Sequence, residues 1–354
     1  MLPRKGADDL SPSCPSFSPF RPGSQVISRI DFKASEAVRA ALSTIGRTED
    51  LRFSPDNRLL AIAGYTRERC LILRVDVEAA PSGPRITVHD FMELTSESMG
   101  EVHGLDFIDD RTLVIANRDG LVAIFALPSG EPAGRQCHIV SIREIKGGLF
   151  CKLKTPGSVA ARHESRGRVS LLVCNNYRDR VTRHVVDRWG YRAWKNQALL
   201  KRGLNIPDGI ALSHDGQWIA VSSHGTNDVK LYNMSARLGP DTEPAGILQN
   251  ANYPHGLRFT GDDRQILVAD AGSPLLHVYD RDAGWSGSRT PSRSVAVLDD
   301  ETFGRGRASV EEGGPKGLDI DRSNSVVAVT CEEQTLAFFS LTSITGRPPK
   351  FEPS

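Results

Sequence analysis

The 354-residue chain has no long apolar run and no excess of charge of either sign. Every apolar stretch is shorter than the roughly 18 residues that a membrane-spanning helix needs, so we expect no membrane span. Lysine and arginine together number 44 against 43 aspartates and glutamates, which gives a formal net charge of +1. A chain with so small a net charge lacks the excess of basic residues that binds nucleic acids or anionic membranes. We therefore predict neither as a partner.

Cysteine and the familiar catalytic motifs are also scarce. The six cysteines are widely spaced and form no Cys-x-x-Cys pair, which argues against a thiolate metal site. Cys70 and Cys174 lie beside or within apolar runs, as buried reduced thiols do, so we predict a cytoplasmic protein. The sequence contains no Gly-rich phosphate loop, no Ser nucleophile elbow, no HExxH helix and no dinucleotide fingerprint. Any reaction must therefore be inferred from the fold.

What the sequence does contain is a repeat. Residues 205–233 hold three short apolar runs separated by turn residues, which predicts antiparallel strands joined by hairpins. Five related segments exist, and the marker residue at the start of each first strand recurs every 47 to 61 residues: Asp50, Gly104, Gly157, Gly209, Gly256 and Gly317. A strand-only repeat near 50 residues indicates a propeller with four antiparallel strands per blade. We therefore predict an all-β, six-bladed β-propeller.

The ends of the repeat array predict how the ring closes. The last copy ends near Thr342 without a fourth strand, whereas residues 26–32 form a strand-like segment before the first copy. Because a closed ring leaves no open sheet edge, we expect residues 26–32 to supply the outer strand of the sixth blade. One domain then spans 26–345. A Pro- and Ser-rich segment, 1–25, lacks the apolar core of a signal peptide and is predicted to be a disordered tail, and 346–354 a C-terminal tail.

The linkers between repeats should hold the outer strands and the insertions. We expect residues 137–140 to form the outer strand of blade two. A charged, Gly-rich insertion, 301–314, should overhang the face where the blades connect, either as a lid or as a plain surface loop. On the opposite face the turns are short hairpins, such as 214–216 and 261–263, and we expect no pocket among them.

Propeller topology brings distant residues to one face. The first strand of each blade lines the channel, so the residue before each marker lies at the channel mouth, and the second strand ends on the same face, further out. The inner ring predicted in this way is Glu49, His103, Pro156, Asp208, His255 and Lys316. The outer ring is Gly64, Asn117, Asn175, Ser222, Asp270 and Thr330, with His224 and Glu332 two residues beyond the ends of their strands.

Five of the six inner-ring residues are ionisable, which leaves three interpretations open. Glu49, His103, Asp208 and His255 can bind one divalent metal, and the imidazoles favour zinc, iron or manganese over calcium. Alternatively, Asp208 orients His255 for metal-free acid–base catalysis, with His103 across the mouth and Lys316 pairing an anionic substrate group. In the third interpretation the ring only solvates strand ends, and Lys316 and Glu49 neutralise each other.

The outer ring has two interpretations as well. Asn117, Asn175 and Asp270 end second strands, where Asn and Asp commonly cap the following turn. These side chains are either such caps or, together with His224 and Glu332, a second ring that contacts a ligand.

The repeat also resembles that of a known superfamily. Pro-x-Gly-Leu/Ile-x-Phe/Ile, then an Asp/Gly turn and a strand ending in Asp or Asn, is similar to the six-bladed calcium-dependent phosphotriesterase-type propellers over residues 49–340. These include NHL-repeat proteins, the gluconolactonase and senescence-marker group and strictosidine-synthase-like proteins. Glu49 and Asp208 match the metal ligands of the gluconolactonase group, whereas His103 and Pro156 stand where that group has Asn. His103 and His255 are more similar to the channel-mouth histidines of propeller lyases, such as peptide-amidating and streptogramin lyases.

Two classes of function follow as expectations. The first is an enzyme that acts on a small molecule, either a lyase or isomerase that uses His103 and His255 or a metal-assisted hydrolase such as a lactonase. The second is a non-catalytic, NHL-like propeller that presents its faces to a protein partner.

Overall fold

The structure, a computed structural model, describes residues 26–81, 83–147, 153–307 and 309–347, which form six β-sheets arranged as the blades of a ring. The predicted all-β, six-bladed propeller is confirmed. The predicted N-terminal tail, 1–25, and residues 348–354 of the predicted C-terminal tail lie outside the described residues. In the part of the chain that is described, no helix is long and apolar enough to cross a membrane.

The chain enters the ring through two short strands and a helix: β1 (Arg29–Ile30), β2 (Phe32–Ala34) and α1 (Glu36–Thr44). Helix α1 begins after Ser35, whose side chain accepts a hydrogen bond of 3.3 Å from the backbone N–H of Val38. Blade one comprises β3 (Thr48–Phe53), β4 (Leu59–Gly64), β5 (Arg69–Glu78) and β6 (Arg85–Thr95). The next segment contains β7 (Val102–Asp109), β8 (Thr112–Asn117), β9 (Leu121–Ala126), β10 (Arg135–His138) and β11 (Arg143–Lys146).

Blades three to six repeat the same order of strands. Blade three comprises β12 (Pro156–Glu164), β13 (Arg168–Asn175), β14 (Arg180–Asp187) and β15 (Ala193–Leu200). Blade four comprises β16 (Pro207–Leu212), β17 (Trp218–Ser223), β18 (Asp228–Asn233) and β19 (Gly246–Leu248). Blade five comprises β20 (Pro254–Phe259), β21 (Gln265–Asp270), β22 (Leu275–Asp280) and β24 (Arg293–Ala296), while β23 (Gly287–Arg289) extends blade four. Helix α2 (Asp300–Arg305) precedes blade six, which comprises β25 (Pro315–Ile320), β26 (Val326–Cys331) and β27 (Ala337–Ser340) and is followed by α3 (Leu341–Thr345).

The outer strand of blade two is not where the sequence placed it. Strand β10, which contains Cys137 and His138, pairs in parallel with β6 and so extends blade one. The outer strand of blade two is β11, which pairs with β9. Strand β6 has 11 residues, and its long outer edge leaves backbone groups that the passing chain satisfies. The prediction for residues 137–140 is therefore wrong.

The core lies between the blades. Six clusters of buried apolar side chains are present, and each fills the gap between two neighbouring blades. Neighbouring blades cover both faces of each blade, so the inner strands do not alternate between apolar and polar residues. Strand β4, with the sequence Leu-Leu-Ala-Ile-Ala-Gly, is buried throughout. The same packing explains why a single repeat cannot fold alone.

Carboxylates on the first strands link consecutive blades. Asp106 of blade two accepts a hydrogen bond of 2.7 Å from the backbone N–H of Ala161 in blade three. Asp319 of blade six accepts one of 2.8 Å from the backbone N–H of Phe53 in blade one. These bonds use side chains that face the channel to satisfy backbone donors of the next blade.

The N-terminal segment closes the ring. Strand β1 pairs antiparallel with β27 as the outer strand of blade six, with Ile30 opposite Phe338. Before it, Val26 forms a parallel bridge with Ala296 of blade five, and after it β2 pairs with β6 of blade one. The segment 26–34 therefore binds three consecutive blades, and the predicted closure is confirmed.

Candidate functional site

Five of the six predicted inner-ring residues owe their position to a β-bulge at the start of the first strand. In blade four, Pro207 pairs with Ser223 and Ile210 pairs with Val221, so two residues of the first strand oppose one of the second. A register shift of one residue also occurs at the start of the first strand in the other five blades. In blade three the bulged residues are Gly157 and Ser158, while Pro156 pairs with Asn175, so the prediction that Pro156 belongs to the inner ring is wrong. A bulge bends its strand and re-aims a side chain, and the side chains re-aimed in this way converge on the channel.

The marker glycines stand where neighbouring blades touch. A Cβ atom on Gly209 would overlap the carbonyl oxygen of His255, and one on Gly256 would overlap the carbonyl oxygen of Lys316. The first strands of neighbouring blades approach so closely at this level that a side chain does not fit. Close packing of the glycines thus holds the preceding residues next to one another.

Five side chains from four blades meet at the mouth: Glu49, His103, Asp208, His224 and His255. Nε2 of His255 lies 3.0 Å from Oδ2 of Asp208 and 3.4 Å from Oε2 of Glu49. Nε2 of His103 lies 3.8 Å from Oε2 of Glu49 and 4.0 Å from Oδ1 of Asp208. Nε2 of His224 lies 3.6 Å from Oδ2 of Asp208. The atoms form two groups with metal-ligand spacing, Glu49–His103–His255 and Asp208–His224–His255, that share His255.

The five side chains are buried and incompletely hydrogen-bonded. Within the described part of the chain, Oε2 of Glu49 and both ring nitrogens of His224 have no hydrogen-bond partner. Just below them the channel narrows to a void of about 10 Å³, room for no more than one water. Because a buried polar atom without a partner is costly, these residues form a candidate binding centre.

The protonation states differ among the three imidazoles. Nδ1 of His103 donates to the carbonyl oxygen of Gly157 at 2.8 Å, which leaves the lone pair on Nε2. Burial, reinforced by the charge of Arg118, lowers the pKa of His103 to about 4, and burial lowers the pKa of His224 to about 3. Both rings are therefore neutral at pH 7, which is the form that binds metal.

His255 behaves in the opposite way. Burial acts to lower its pKa, but the carboxylates of Asp208 and Glu49 outweigh burial and raise it. For Asp208 burial acts to raise the pKa, and the three histidines outweigh burial and hold it below its ordinary value. Without a metal, the two carboxylates thus favour the protonated form of His255.

A network of charges borders the centre on the side of blades six and one. The buried Nζ of Lys316 lies 3.1 Å from Oε1 of Glu49, 2.7 Å from Glu312 and 3.4 Å from Glu332. The guanidinium of Arg47 contacts the same three carboxylates. Glu312 belongs to the insertion 301–314, so the insertion reaches the mouth.

Arg118 borders the centre on the side of blade two. Its Nη1 donates to Nε2 of His103, and its guanidinium lies over the ring of Tyr177, 5.4 Å from the centroid. Tyr65 packs edge-on against His103. On the far side Tyr253 stacks on His224, with ring centroids 4.0 Å apart.

The structure separates the predicted outer ring into two sets. His224 and Glu332 lie in the centre and in the bordering network. Asn117 instead bonds to the backbone of Gly100 and Ser98, and Asn175 to the backbone of Lys154 and Val173. Asp270 accepts hydrogen bonds from the backbone of Asn252 and Gly272 and from His277. These three side chains cap turns and are not brought to the mouth.

Arg118, Arg47 and Glu312 were not identified from the sequence. Arg118 directly follows Asn117 at the end of a second strand, so an extension of the outer ring by one position would have found it. Arg47 lies just before β3, two residues from Glu49. Glu312 lies in an insertion that has no counterpart in the other repeats, and no signal in the sequence marks it.

The opposite face also contains a cavity, contrary to the expectation from its short hairpins. Its volume is about 310 Å³, and its lining includes Arg52, Asp106, His214, Arg258 and Gly261. Arg52, which lines the cavity, forms an ion pair with Asp50 whose atoms are 2.7 Å apart. The pairing of the strands is nevertheless as predicted, since each first strand starts at the mouth that holds the histidines.

The sequence matches no protein-family model and no curated protein. The geometry of the mouth is therefore the basis for a functional proposal.

Proposed function

We propose that the channel mouth binds one divalent transition metal and that the protein is an enzyme that acts there on a small molecule, by metal-assisted hydrolysis of the lactonase kind. The observation that carries the proposal is the convergence of three imidazole Nε2 atoms and two carboxylates, with Glu49 Oε2 and His224 Nε2 buried and unpaired. A set of nitrogen and oxygen ligands of this kind favours zinc, iron or manganese over calcium.

The spacing of the ligand atoms supports a metal. A tetrahedral ion with bonds of about 2.1 Å holds its ligand atoms roughly 3.4 Å apart. The distances from Nε2 of His255 to Asp208 and Glu49 are 3.0 and 3.4 Å, and that from His224 to Asp208 is 3.6 Å. Small side-chain movements would bring the atoms of either group to metal-ligand distances from one ion.

The bound ion supplies Lewis acidity, which polarises a substrate oxygen or an attacking water. The chain supplies the rest. Since the void beneath the centre has room for no more than one water, a substrate would approach from the mouth, where Arg118 and Tyr177 border the centre. Glu49 and Asp208 belong to different ligand groups. When one group ligates the ion, the carboxylate of the other group is left beside the ion as a general base.

A second candidate is acid–base catalysis without metal, by a lyase or isomerase. It is favoured by one observation, the raised pKa of His255 between Asp208 and Glu49, which provides an imidazolium as proton donor. The non-catalytic, NHL-like scaffold remains the alternative from another class. The scaffold alternative requires that the mouth residues only stabilise the fold. That role accounts for the ion pair of Lys316 and Glu49, but not for the buried ring nitrogens of His224, which have no hydrogen-bond partner among the described residues.

Two finer assignments belong with this proposal. We propose membership of the superfamily of NHL-repeat, gluconolactonase-type and strictosidine-synthase-like propellers, supported by the repeat and by the six blades. We also propose a cytoplasmic location, supported by the free thiols of Cys70, Cys174 and Cys331, all buried.

The proposal is tested by the metal content of the protein. The purified chain is stripped with chelator, reloaded separately with zinc, iron(II), manganese and calcium, dialysed and analysed by mass spectrometry. We expect one equivalent of a transition metal in the wild type and none in His255→Ala. The matched control is His138→Ala, which removes an exposed imidazole from β10 and should bind metal like the wild type. A wild type that retains no metal contradicts the proposal.

A further inference from the structure

Arg118 differs from the other cations of the mouth. Arg47 and Lys316 are each surrounded by three carboxylates. Within the described residues, Arg118 forms no ion pair, and its guanidinium has only Nε2 of His103 as a side-chain hydrogen-bond acceptor. Arg118 is also only partly buried, so it can be reached from solvent.

Metal binding changes the surroundings of Arg118. Nε2 of His103 has one lone pair, because Nδ1 donates to Gly157. An ion held by the group Glu49–His103–His255 would take this lone pair and so remove the acceptor that Arg118 uses. The guanidinium would then lie over the ring of Tyr177 without its one side-chain hydrogen-bond acceptor among the described residues.

A planar fork of N–H donors beside a divalent cation suits one ligand chemistry. A carboxylate can direct one oxygen toward the cation and accept a charge-assisted hydrogen bond from a guanidinium on the other. Tyr177, which is 63% exposed, extends the mouth outward and covers the remainder of a small organic molecule.

We propose that Arg118 anchors the carboxylate of a small organic acid and that such acids are the substrate class of this site. The inference rests on the proposed metal centre, and it adds a specificity-determining residue to it. It also predicts that Arg118 competes with the metal for His103, so that removal of Arg118 leaves metal affinity unchanged or raises it.

The test uses the protein loaded with cobalt(II), whose visible absorption reports ligands that bind the ion. Glycolate is titrated at constant ionic strength, with glycolamide as the neutral molecule of the same shape, and bound cobalt is quantified in every sample. The variants are Arg118→Ala and Arg118→Lys, with Arg178→Ala as matched control. Arg178 is an exposed arginine next to Tyr177, so its removal changes the net charge equally.

We expect Arg118→Ala to retain cobalt and to bind glycolate about 10- to 100-fold more weakly than the wild type, with glycolamide binding unchanged. Arg118→Lys should recover part of the loss, since it keeps the charge but not the fork, and Arg178→Ala should match the wild type. Unchanged glycolate affinity in Arg118→Ala overturns this inference alone, and so does loss of its cobalt. A wild type that binds no cobalt overturns the metal centre itself.

Discussion

Nε2 of His255 lies 3.0 Å from Oδ2 of Asp208, although the two residues belong to neighbouring blades. Each stands directly before a marker glycine, and each is re-aimed by the bulge at the start of its first strand. The pair is thus a product of the repeat itself and does not depend on the loops. Because the histidines hold the pKa of Asp208 below its ordinary value against the effect of burial, the carboxylate is ionised at neutral pH and available to a cation.

The first prediction concerns which of the two ligand groups holds the metal. Asp208→Asn and Glu49→Gln keep the shape of the side chain and remove its charge. Loss of a directly bound carboxylate should weaken metal binding more than loss of an outer carboxylate, for which about 10- to 100-fold is typical. Competition with a chromophoric chelator measures the affinity.

The histidines give an independent answer to the same question. If Asp208→Asn has the larger effect, His224→Ala should weaken binding more than His103→Ala, since Asp208 and His224 belong to one group. Asp241→Asn, which alters an exposed carboxylate, is the control. If Asp208→Asn weakens metal binding more than Glu49→Gln, but His103→Ala weakens it more than His224→Ala, the division into two ligand groups is wrong.

The sequence predicts the fold and five of the six inner-ring residues for a physical reason. In blade three the marker glycine itself occupies the bulged position, so Pro156 is assigned in place of Gly157. Turn residues and apolar runs recur with each blade, and the residue before the marker must lie where the first strands converge. Asp208, His255 and His103 could therefore be placed together before any coordinates were known. His224 could be placed near them because it follows a second strand that ends on the same face.

Other parts depend on packing that no repeat encodes. The side chain of Arg118 reaches back to His103, and a pattern of alternation along β8 does not determine the direction of a long side chain beyond the strand end. Glu312 comes from an insertion found in one repeat only. Strand β10 joins blade one because β6 is long, a tertiary effect that local propensity cannot predict.

The second prediction concerns the buried pair of Lys316 and Glu49, whose side chains are both fully inaccessible to solvent. Lys316→Met should destabilise the metal-free protein by about 3 kcal/mol, at the low end for a broken buried ion pair, because Glu49 loses its buried partner but keeps its contact with Arg47. Glu49→Gln in the same chain should restore part of that loss. Urea unfolding of the two single variants and the double variant measures the coupling.

The control for the substitution of Lys316 is an ion pair at the surface of the protein. Lys146→Met removes a lysine that lies 2.7 Å from Glu144 but is 65% exposed, and it should cost only about 0–1 kcal/mol. Equal effects of the two lysine substitutions would show that Lys316 contributes nothing through its burial.

The third prediction concerns pH and the hairpin face. Asp263 of blade five accepts hydrogen bonds from the backbone N–H groups of His214 and Asp215 in blade four and from the His214 ring. Burial acts to raise its pKa, but these bonds outweigh burial and lower it. The folded state therefore binds fewer protons at Asp263 than the unfolded state, and its stabilising effect is present above the unfolded pKa of about 3.9 and lost as the pH falls through the folded pKa.

Asp263→Asn should accordingly lower the free energy of unfolding at pH 7 by about 1–3 kcal/mol. The difference from the wild type should shrink below about pH 4. Denaturant unfolding between pH 3 and 7 measures both quantities, and Asp241→Asn again serves as the exposed control. A difference that is constant with pH would show that the charge of Asp263 is not what stabilises the contact between the blades.

The last prediction concerns closure of the ring. Deletion of residues 1–25 leaves every described contact in place and should not change the melting temperature. Deletion of 1–34 removes β1 and β2 and exposes the edges of β27 and β6, so we expect a lower melting temperature or aggregation through the open edges.

Phe32→Ser serves as a milder variant in case the longer deletion does not fold, because Phe32 packs edge-on against Phe338 at 5.5 Å. It should unfold at a lower temperature without aggregating through the edges, since both edges remain paired. If both the longer deletion and Phe32→Ser melt like the wild type, the N-terminal segment does not hold the ring together.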